Sequence, residues 1–408
     1  MNVQSQTIPP QAKQVIEGLK TDMQNELQQL LGWWMQHMLD EQNGGFIGRI
    51  DGNNQKYPKA PKGIILNSRI LWTFSQAAQL NNQVAYQSMA ERAYQYLVDH
   101  FIDQSEGGVF WMLNYEGIPL ENKKQIYAQA FSIYALSEYY LLCKHPTVLE
   151  QAMELFWLIE KYSRDRQRGG YFEAFDQNWM PLDDLRLSTK DMNASKTMNT
   201  HLHILEAYTN LYRIAPKEEV KEALSYLIEL FLDRFIDPQT AHLHLFFDED
   251  WQLQSKDISF GHDIECSWLL WEAAEVLAEP NLLKRVRSTC LTMVTTTLTK
   301  GLDKDGSLWN EKSPDDHIDK DKIWWVQAET LVGLINAWQL TQEAHYLHKA
   351  VRNWNFIQNH IKDTEQGEWH WMLKANGEVN RKEDKAGPWK APYHNARACM
   401  QLLMRLND

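Results

Sequence analysis

The chain has 408 residues, 44% of them hydrophobic, with 41 Lys and Arg against 54 Asp and Glu for a formal net charge of −13. That acidic balance argues against nucleic acid or an anionic membrane as partner, and no stretch approaches the roughly 18 apolar residues that a spanning helix needs. The polar segment Met1–Lys13 lacks an apolar signal core, and four scattered cysteines lack paired spacing, so a cytoplasmic protein with reduced thiols is expected.

In chain order, the apolar spacing predicts a first helix over 11–39, followed by a Gly-rich aromatic turn, Gly44-Gly45-Phe46-Ile47-Gly48. Helices over 64–80 and 84–102 lead to a second such turn, Gly107-Gly108-Val109-Phe110-Trp111. Helices over 125–143 and 147–164 lead to Gly169-Gly170-Tyr171-Phe172. The pattern repeats with helices over 197–214 and 217–235 before His242-Leu243-His244-Leu245-Phe246. Helices over 262–278 and 280–300 precede Gly306-Ser307-Leu308-Trp309, and helices over 324–341 and 343–361 precede Gly367-Glu368-Trp369-His370-Trp371. A last helix is predicted over 391–406. Apolar residues recur three and four apart, as in Ile204, Leu205, Tyr208, Leu211 and Tyr212.

Anchored at positions 45, 108, 170, 243, 306 and 367, the turns recur at steps of 63, 62, 73, 63 and 61 residues. A fixed period this long marks a repeat architecture. Six curled α-hairpins predict an all-α fold, an (α/α)6 barrel of twelve helices in a single domain over residues 1–408. The even helices carry more small and apolar residues and should line the inner ring. The aromatic segments should form short β-hairpins at one mouth. Seventeen tryptophans are either core or, where several gather in the repeat loops, stacking surfaces for sugar.

Polar residues concentrate in the first turns of the even helices: Asn67 and Arg69, then Tyr127, then Asn199, His201 and His203. Next come His262, Asp263 and Glu265, then Trp324 and Trp325, and finally Tyr393, His394 and Asn395 after Pro392, which suits a first helical position. A parallel inner ring brings these to one end of the barrel, where helix N-termini favour an anionic intermediate and keep imidazoles neutral. That setting suits proton transfer. His262 and Glu265 share a helix face, so Glu265 can orient the imidazole; a surface pair is the plain alternative. Asn199 and His203 also share a face, whereas His201 points elsewhere and reads as structural. Arg69 sits in an apolar run and needs an anionic partner, protein or ligand. The loop Gly387-Pro388-Trp389-Lys390 can place Trp389 over a ligand. His201-x-His203, His242-x-His244 and His262-x-x-Glu265 contain ligand-type residues, but their spacing does not build a metal site, and no metal or cofactor is expected.

The motifs Met198-Asn199-Thr200-His201-Leu202-His203, Gly261-His262-Asp263-Ile264-Glu265, Trp324-Trp325 and Gly387-Pro388-Trp389-Lys390-Ala391-Pro392-Tyr393-His394-Asn395 resemble the cellobiose 2-epimerases of the N-acylglucosamine 2-epimerase superfamily. The resemblance runs from Gly44 to Arg397. It implies the (α/α)6 barrel and inversion of C2 at the reducing end of β-1,4-linked disaccharides. By the same resemblance His262 and His394 are the acid/base pair, and His203 assists ring opening. Arg69, Asn199 and Glu265 hold or polarise groups around them, Trp325 and Trp389 pack against sugar, and Tyr127 and Trp309 match binding positions. Trp389 stands where relatives acting on monosaccharides tend to carry Phe, so the resemblance implies a disaccharide as the small-molecule partner; a monomer is expected. The alternatives are a monosaccharide 2-epimerase or mannose–fructose isomerase using the same enediolate, a glycoside hydrolase using carboxylates such as Asp191, Asp263 and Glu329, and a non-catalytic sugar-binding protein.

Overall fold

The computed structural model describes residues 10–407; residues 1–9 of the polar N-terminal segment lie outside it. Among the described residues twelve α-helices run Pro10–His37 (α1), Ile64–Asn81 (α2), Val84–Tyr96 (α3), Ile126–Cys143 (α4), Pro146–Leu158 (α5), Met198–Ile214 (α6), Glu218–Leu230 (α7), Phe260–Leu277 (α8), Pro280–Gly301 (α9), Trp324–Thr341 (α10), Ala344–Phe356 (α11) and Tyr393–Arg405 (α12). The expected boundaries differ mainly at odd-helix ends, where α3, α5, α7 and α11 each finish in a wider five-residue π turn. Pro392 is the N-cap of α12 rather than its first residue.

The even helices close on themselves: α2 packs on α4, α4 on α6, α6 on α8, α8 on α10, α10 on α12, and α12 on α2. This is the inner ring of an (α/α)6 barrel. Each odd helix packs outside an even one, with α1 closing against α12. The sequence explains the division. α4 is apolar or small on every face, and its residues Ile126–Tyr139 are all buried; a helix apolar all round belongs inside. α7 buries only the stripe Val220, Ala223, Leu224, Leu227, Ile228 and Leu230.

The aromatic segments form short hairpins, with single bridges closing the turns, as in Leu39–Phe46 and Ile102–Val109, and with Met112–Leu113 paired to Pro119–Glu121 and Glu311–Lys312 to Ile318–Asp319. Each short strand entering an even helix also pairs with the strand after the next repeat's aromatic turn. Lys62–Gly63 pairs with Met112–Leu113, Lys124–Gln125 with Ala174–Phe175, Lys196–Thr197 with Phe246–Phe247, Ile258–Ser259 with Glu311–Lys312, and Lys322–Ile323 with Met372–Leu373. An Ile50–Ala386 bridge links the first and last repeats. An isolated two-residue hairpin has too few bonds to persist, so the pairing between repeats supports each one. Ion pairs tie the same belt down: the buried Lys62–Asp40, Lys124–Asp103 and Lys196–Asp165 at 2.8 Å and Lys385–Asp363 at 2.6 Å, and the half-buried Lys322–Asp303 at 2.7 Å.

A second repeated device fixes four of the six turns to the ring. The fourth residue of an even helix reaches back to the residue after the turn: Gln129 Oε1 accepts from Val109 N–H at 2.8 Å, His201 Nε2 from Tyr171 N–H at 2.8 Å, Asp263 Oδ1 from Leu243 N–H at 2.9 Å, and Gln327 Oε1 from Leu308 N–H at 2.9 Å. The first turn also needs glycine. Gly45 has φ +60°, and a Cβ there would stand 2.5 Å from Tyr96 Cγ. Gly45→Ala is therefore expected to cost roughly 2–4 kcal/mol from left-handed strain plus overpacking, read as a lowered midpoint in chemical denaturation.

Candidate active site

Because the inner helices are parallel and their entering strands lie in one belt, their first two turns converge. They enclose a cavity of about 450 Å³ lined by Arg69, Tyr127, Asn199, His203, His262, Glu265, Trp324, Trp325, Trp389 and His394, with Leu187–Asp191, Trp371, Glu383, Asp384, Gly387 and Pro388 around it. Nine of the ten residues singled out from the sequence meet here. Trp309 does not line this cavity: its indole N–H donates to Asp303 Oδ2 at 2.8 Å, and the Lys320 ammonium lies 4.9 Å from its ring. Asp303 also holds Lys322, so Trp309 belongs to the belt.

His262 and His394 pack on the same indole. Their ring centroids lie 4.9 and 5.6 Å from that of Trp325. The partner of His262 is not Glu265, as helix spacing suggested, but Ser259, whose Oγ is 2.8 Å from Nδ1. His394 Nδ1 lies 2.6 Å from Glu329 Oε1, and His203 Nδ1 lies 2.9 Å from Glu206 Oε2. In His262 and His394 the second ring nitrogen, Nε2, remains for the cavity. Burial holds His262 down to about 3, helped by the neighbouring His203, and burial holds His394 down to about 3 against the pull of Glu329. His203 is lowered for the same reason. All three are neutral near pH 7 and can accept a proton.

Behind the imidazoles lies a charge cluster that the sequence reading did not assemble. Arg397, fully buried on α12, donates from Nη2 to Glu265 Oε1 and Glu329 Oε1, each at 2.7 Å, and from Nη1 to Glu206. Tyr393 O–H also donates to Glu206. A signal for the cluster existed: Glu206, Glu265 and Arg397 each stand three residues after a cavity histidine, where charge interrupts an otherwise apolar helix. Glu265, Glu329 and His394 offer oxygen and nitrogen atoms within 4.8 Å of one another, but the Arg397 guanidinium already supplies the positive charge among them. Asp263 is buried and bonds His242 and the backbone.

On α2, with its guanidinium 4.9 Å from the Tyr393 ring, Arg69 donates from Nη2 to Tyr127 Oη and from Nη1 to the Trp389 carbonyl, both at 3.0 Å. Among the described residues no carboxylate partners it, which leaves its charge for a ligand. Asn199 Oδ1 is buried without a hydrogen-bond partner. Asn67, by contrast, bonds the Gly63 carbonyl and stays out of the cavity. Leu187–Asp191 come from the longest interval between repeats, the 73-residue step. Those extra residues reach the mouth, and the step length was the sequence signal for them.

His201 confirms its structural reading, since Nδ1 lies 2.7 Å from the Thr197 carbonyl while Nε2 accepts from Tyr171 N–H. Protonation would oppose two N–H groups, and burial holds its pKa down to about 3. The unfolded chain thus binds a proton below about 6.5 that the folded chain refuses. Stability is full above pH 6.5 and falls as pH drops toward 3. His201→Gln, which copies Gln129 and Gln327, is expected to flatten this fall by about 1.4 kcal/mol per pH unit, measured by denaturation between pH 4 and 6.5, with turnover at pH 7 kept.

The family model for N-acylglucosamine 2-epimerase (GlcNAc 2-epimerase) matches residues 45–398. The chain is 48% identical to the cellobiose 2-epimerase of Bacteroides fragilis over 95% of this chain and 99% of the relative. Its fold superposes with TM-score 0.92 on a cellobiose 2-epimerase structure from Bacillus thermoamylovorans at 36% identity, covering 95% of this chain and all of that one. A cellobiose 2-epimerase from Spirochaeta thermophila gives TM-score 0.89 at 38% identity, covering 98% and 99%.

Proposed function

This chain belongs to the N-acylglucosamine 2-epimerase family and is an isomerase, and from that premise we propose that it inverts C2 of the reducing-end sugar in β-1,4-linked disaccharides, taking cellobiose to glucosyl-mannose and lactose to epilactose. The observation that carries this reading is the placement of His262 and His394 in one cavity, both against Trp325. We take the whole ring as one catalytic domain, working as a cytoplasmic monomer.

The chemistry follows from the open-chain sugar. Its C2–H is acidic because the C1 carbonyl accepts the electron pair. His203, backed by Glu206, is suited to assist ring opening. One imidazole of the pair then takes the C2 proton, the C–H electrons form the C1–C2 double bond, and O1 becomes an oxyanion. Arg69 and Asn199 offer donors for that charge. Rotation about C2–C3 presents the other face, and the second imidazole, which enters this step as an imidazolium carrying a proton taken up from water, returns that proton to C2 as the C1–C2 electrons form the new C–H bond and O1 regains its carbonyl. One histidine has gained a proton and the other has lost one, so exchange with water resets the pair. Glu329 at 2.6 Å makes His394 the better holder of an imidazolium; Ser259 gives His262 only a neutral partner. Trp389 and Trp371 offer faces for the second sugar. The steps require no redox group.

The carboxylates Glu265 and Glu329 share one Arg397 nitrogen, whereas hydrolysis needs two carboxylates flanking a glycosidic bond. Incubation with cellobiose, lactose, mannose and glucose, with sugar analysis, separates the readings. Glucosyl-mannose and epilactose are expected. Ketoses or monosaccharide epimers as the main products, or free glucose from cellobiose, would contradict the assignment.

A further inference from the structure

Three carboxylates, Glu206, Glu265 and Glu329, are buried around a single guanidinium, that of Arg397. The other cation nearby, Arg69, bonds Tyr127 and the Trp389 carbonyl and contacts none of these carboxylates. In the substrate-free protein, with the three histidines neutral, three carboxylates exceed even the two cations Arg397 and Arg69 by one charge. A buried unbalanced carboxylate takes up a proton rather than stay charged.

Hydrogen bonds decide which one. Glu206 accepts from Arg397 and Tyr393 and faces His203 Nδ1. Glu329 accepts from Arg397 at 2.7 Å and from Trp268 Nε1–H at 2.9 Å, and faces His394 Nδ1 at 2.6 Å. Glu265 has one bond, from Arg397 Nη2 to Oε1, and that nitrogen is shared with Glu329. Its anion is therefore the least supported of the three, and Glu265 lines the cavity.

We propose that Glu265 holds its proton at neutral pH and presents it from Oε2 as a hydrogen-bond donor to the sugar oxygen on which the enediolate charge builds. No proton leaves Glu265; it acts as a neutral acid beside the His262 base, one helical turn away. The groups facing it are Arg397 and His394 from α12, Glu329 from α10, Glu206 and His203 from α6, Tyr127 from α4 and Arg69 from α2. Burial raises the Glu265 carboxyl and repulsion by Glu329 adds to it, while Glu206 and Glu329 are held low against their own burial by Arg397 and the histidines. The donor role rests on the epimerase reading; the protonation does not.

Two measurements test it. Infrared difference spectra of the substrate-free protein at pH 7, wild type minus Glu265→Gln, should show the carbonyl band of a protonated carboxyl. Absence of that band overturns the proposal. In kinetics, Glu265→Gln keeps a neutral donor and should lose no more than about tenfold in kcat, whereas Glu265→Ala should lose on the order of a hundredfold. Glu265→Gln should also remove the alkaline fall in activity that ionisation of Glu265 imposes. Equal losses in the two variants, with unfolding midpoints matching wild type, would refute the donor role. A carbonyl band from a protein that turns over no disaccharide would refute the reaction instead.

Discussion

Replacing either His262 or His394 by alanine is expected to lower epimerisation of cellobiose at least about a thousandfold, the upper part of the usual range for a positioned acid or base. The two losses should look alike in net turnover and differ in exchange. With one imidazole gone, the other still removes C2–H from the epimer whose proton faces it. Each variant should therefore exchange C2 with solvent deuterium from one epimer only, and the two variants should favour opposite epimers. His203→Ala should behave differently, since His203 serves ring opening: deuterium wash-out and epimer formation should fall together for both epimers. Exchange assays begun from cellobiose and from glucosyl-mannose read all of this. Full epimerisation by either alanine variant would remove that histidine from the reaction.

Arg397→Met is expected to be the most damaging change to the fold around the cavity. Arg397 is fully buried, and its guanidinium bonds Glu206, Glu265 and Glu329. Methionine leaves the Glu206 and Glu329 carboxylates buried without their cation and Glu265 without its donor, and breaking such a pair from one side costs about 3–5 kcal/mol. Lysine does not restore it, because a point ammonium lacks the fork that reaches carboxylates from α6, α8 and α10 at once. The sign of the pH dependence follows. Unpaired buried carboxylates have raised pKa values, so they shed their charge as pH falls. The gap in stability between wild type and Arg397→Met should then narrow from pH 8 to pH 5, measured by denaturant unfolding of both proteins. A variant of wild-type stability would show that the cluster is not held by this cation.

Period and helix starts made much of this molecule legible. Six turns near 63 residues apart were enough to number the helices and to assign inner and outer rings, because a helix such as α4, apolar on every face, has no other place to go. Asn199, His203, His262 and His394 could be found because chemistry at the mouth of such a ring must lie in the first turns of alternate helices. What escaped depended on direction rather than position. Glu265 was assigned to His262 by helix spacing, yet its carboxylate turns to Arg397 on α12, 132 residues away in sequence. Trp309 sits in a repeat loop like the others, but Asp303 fixes its indole in the belt. The cross-repeat strands were missed because each is two or three residues long and carries no alternation of its own. The degenerate fourth position of the even helices, Gln129, His201, Asp263 and Gln327, was visible only once the backbone N–H that each accepts was placed.

The central claim is that a proton leaves C2 and is replaced from the other side by a group that exchanges with water. Proton NMR of cellobiose incubated with the protein in D2O tests it directly. Glucosyl-mannose should accumulate with deuterium at C2 of its reducing-end residue and protons retained at every other carbon. Glucosyl-mannose that keeps its original C2 proton, or no change at C2 while the glycosidic bond is cut, would contradict the two-histidine account.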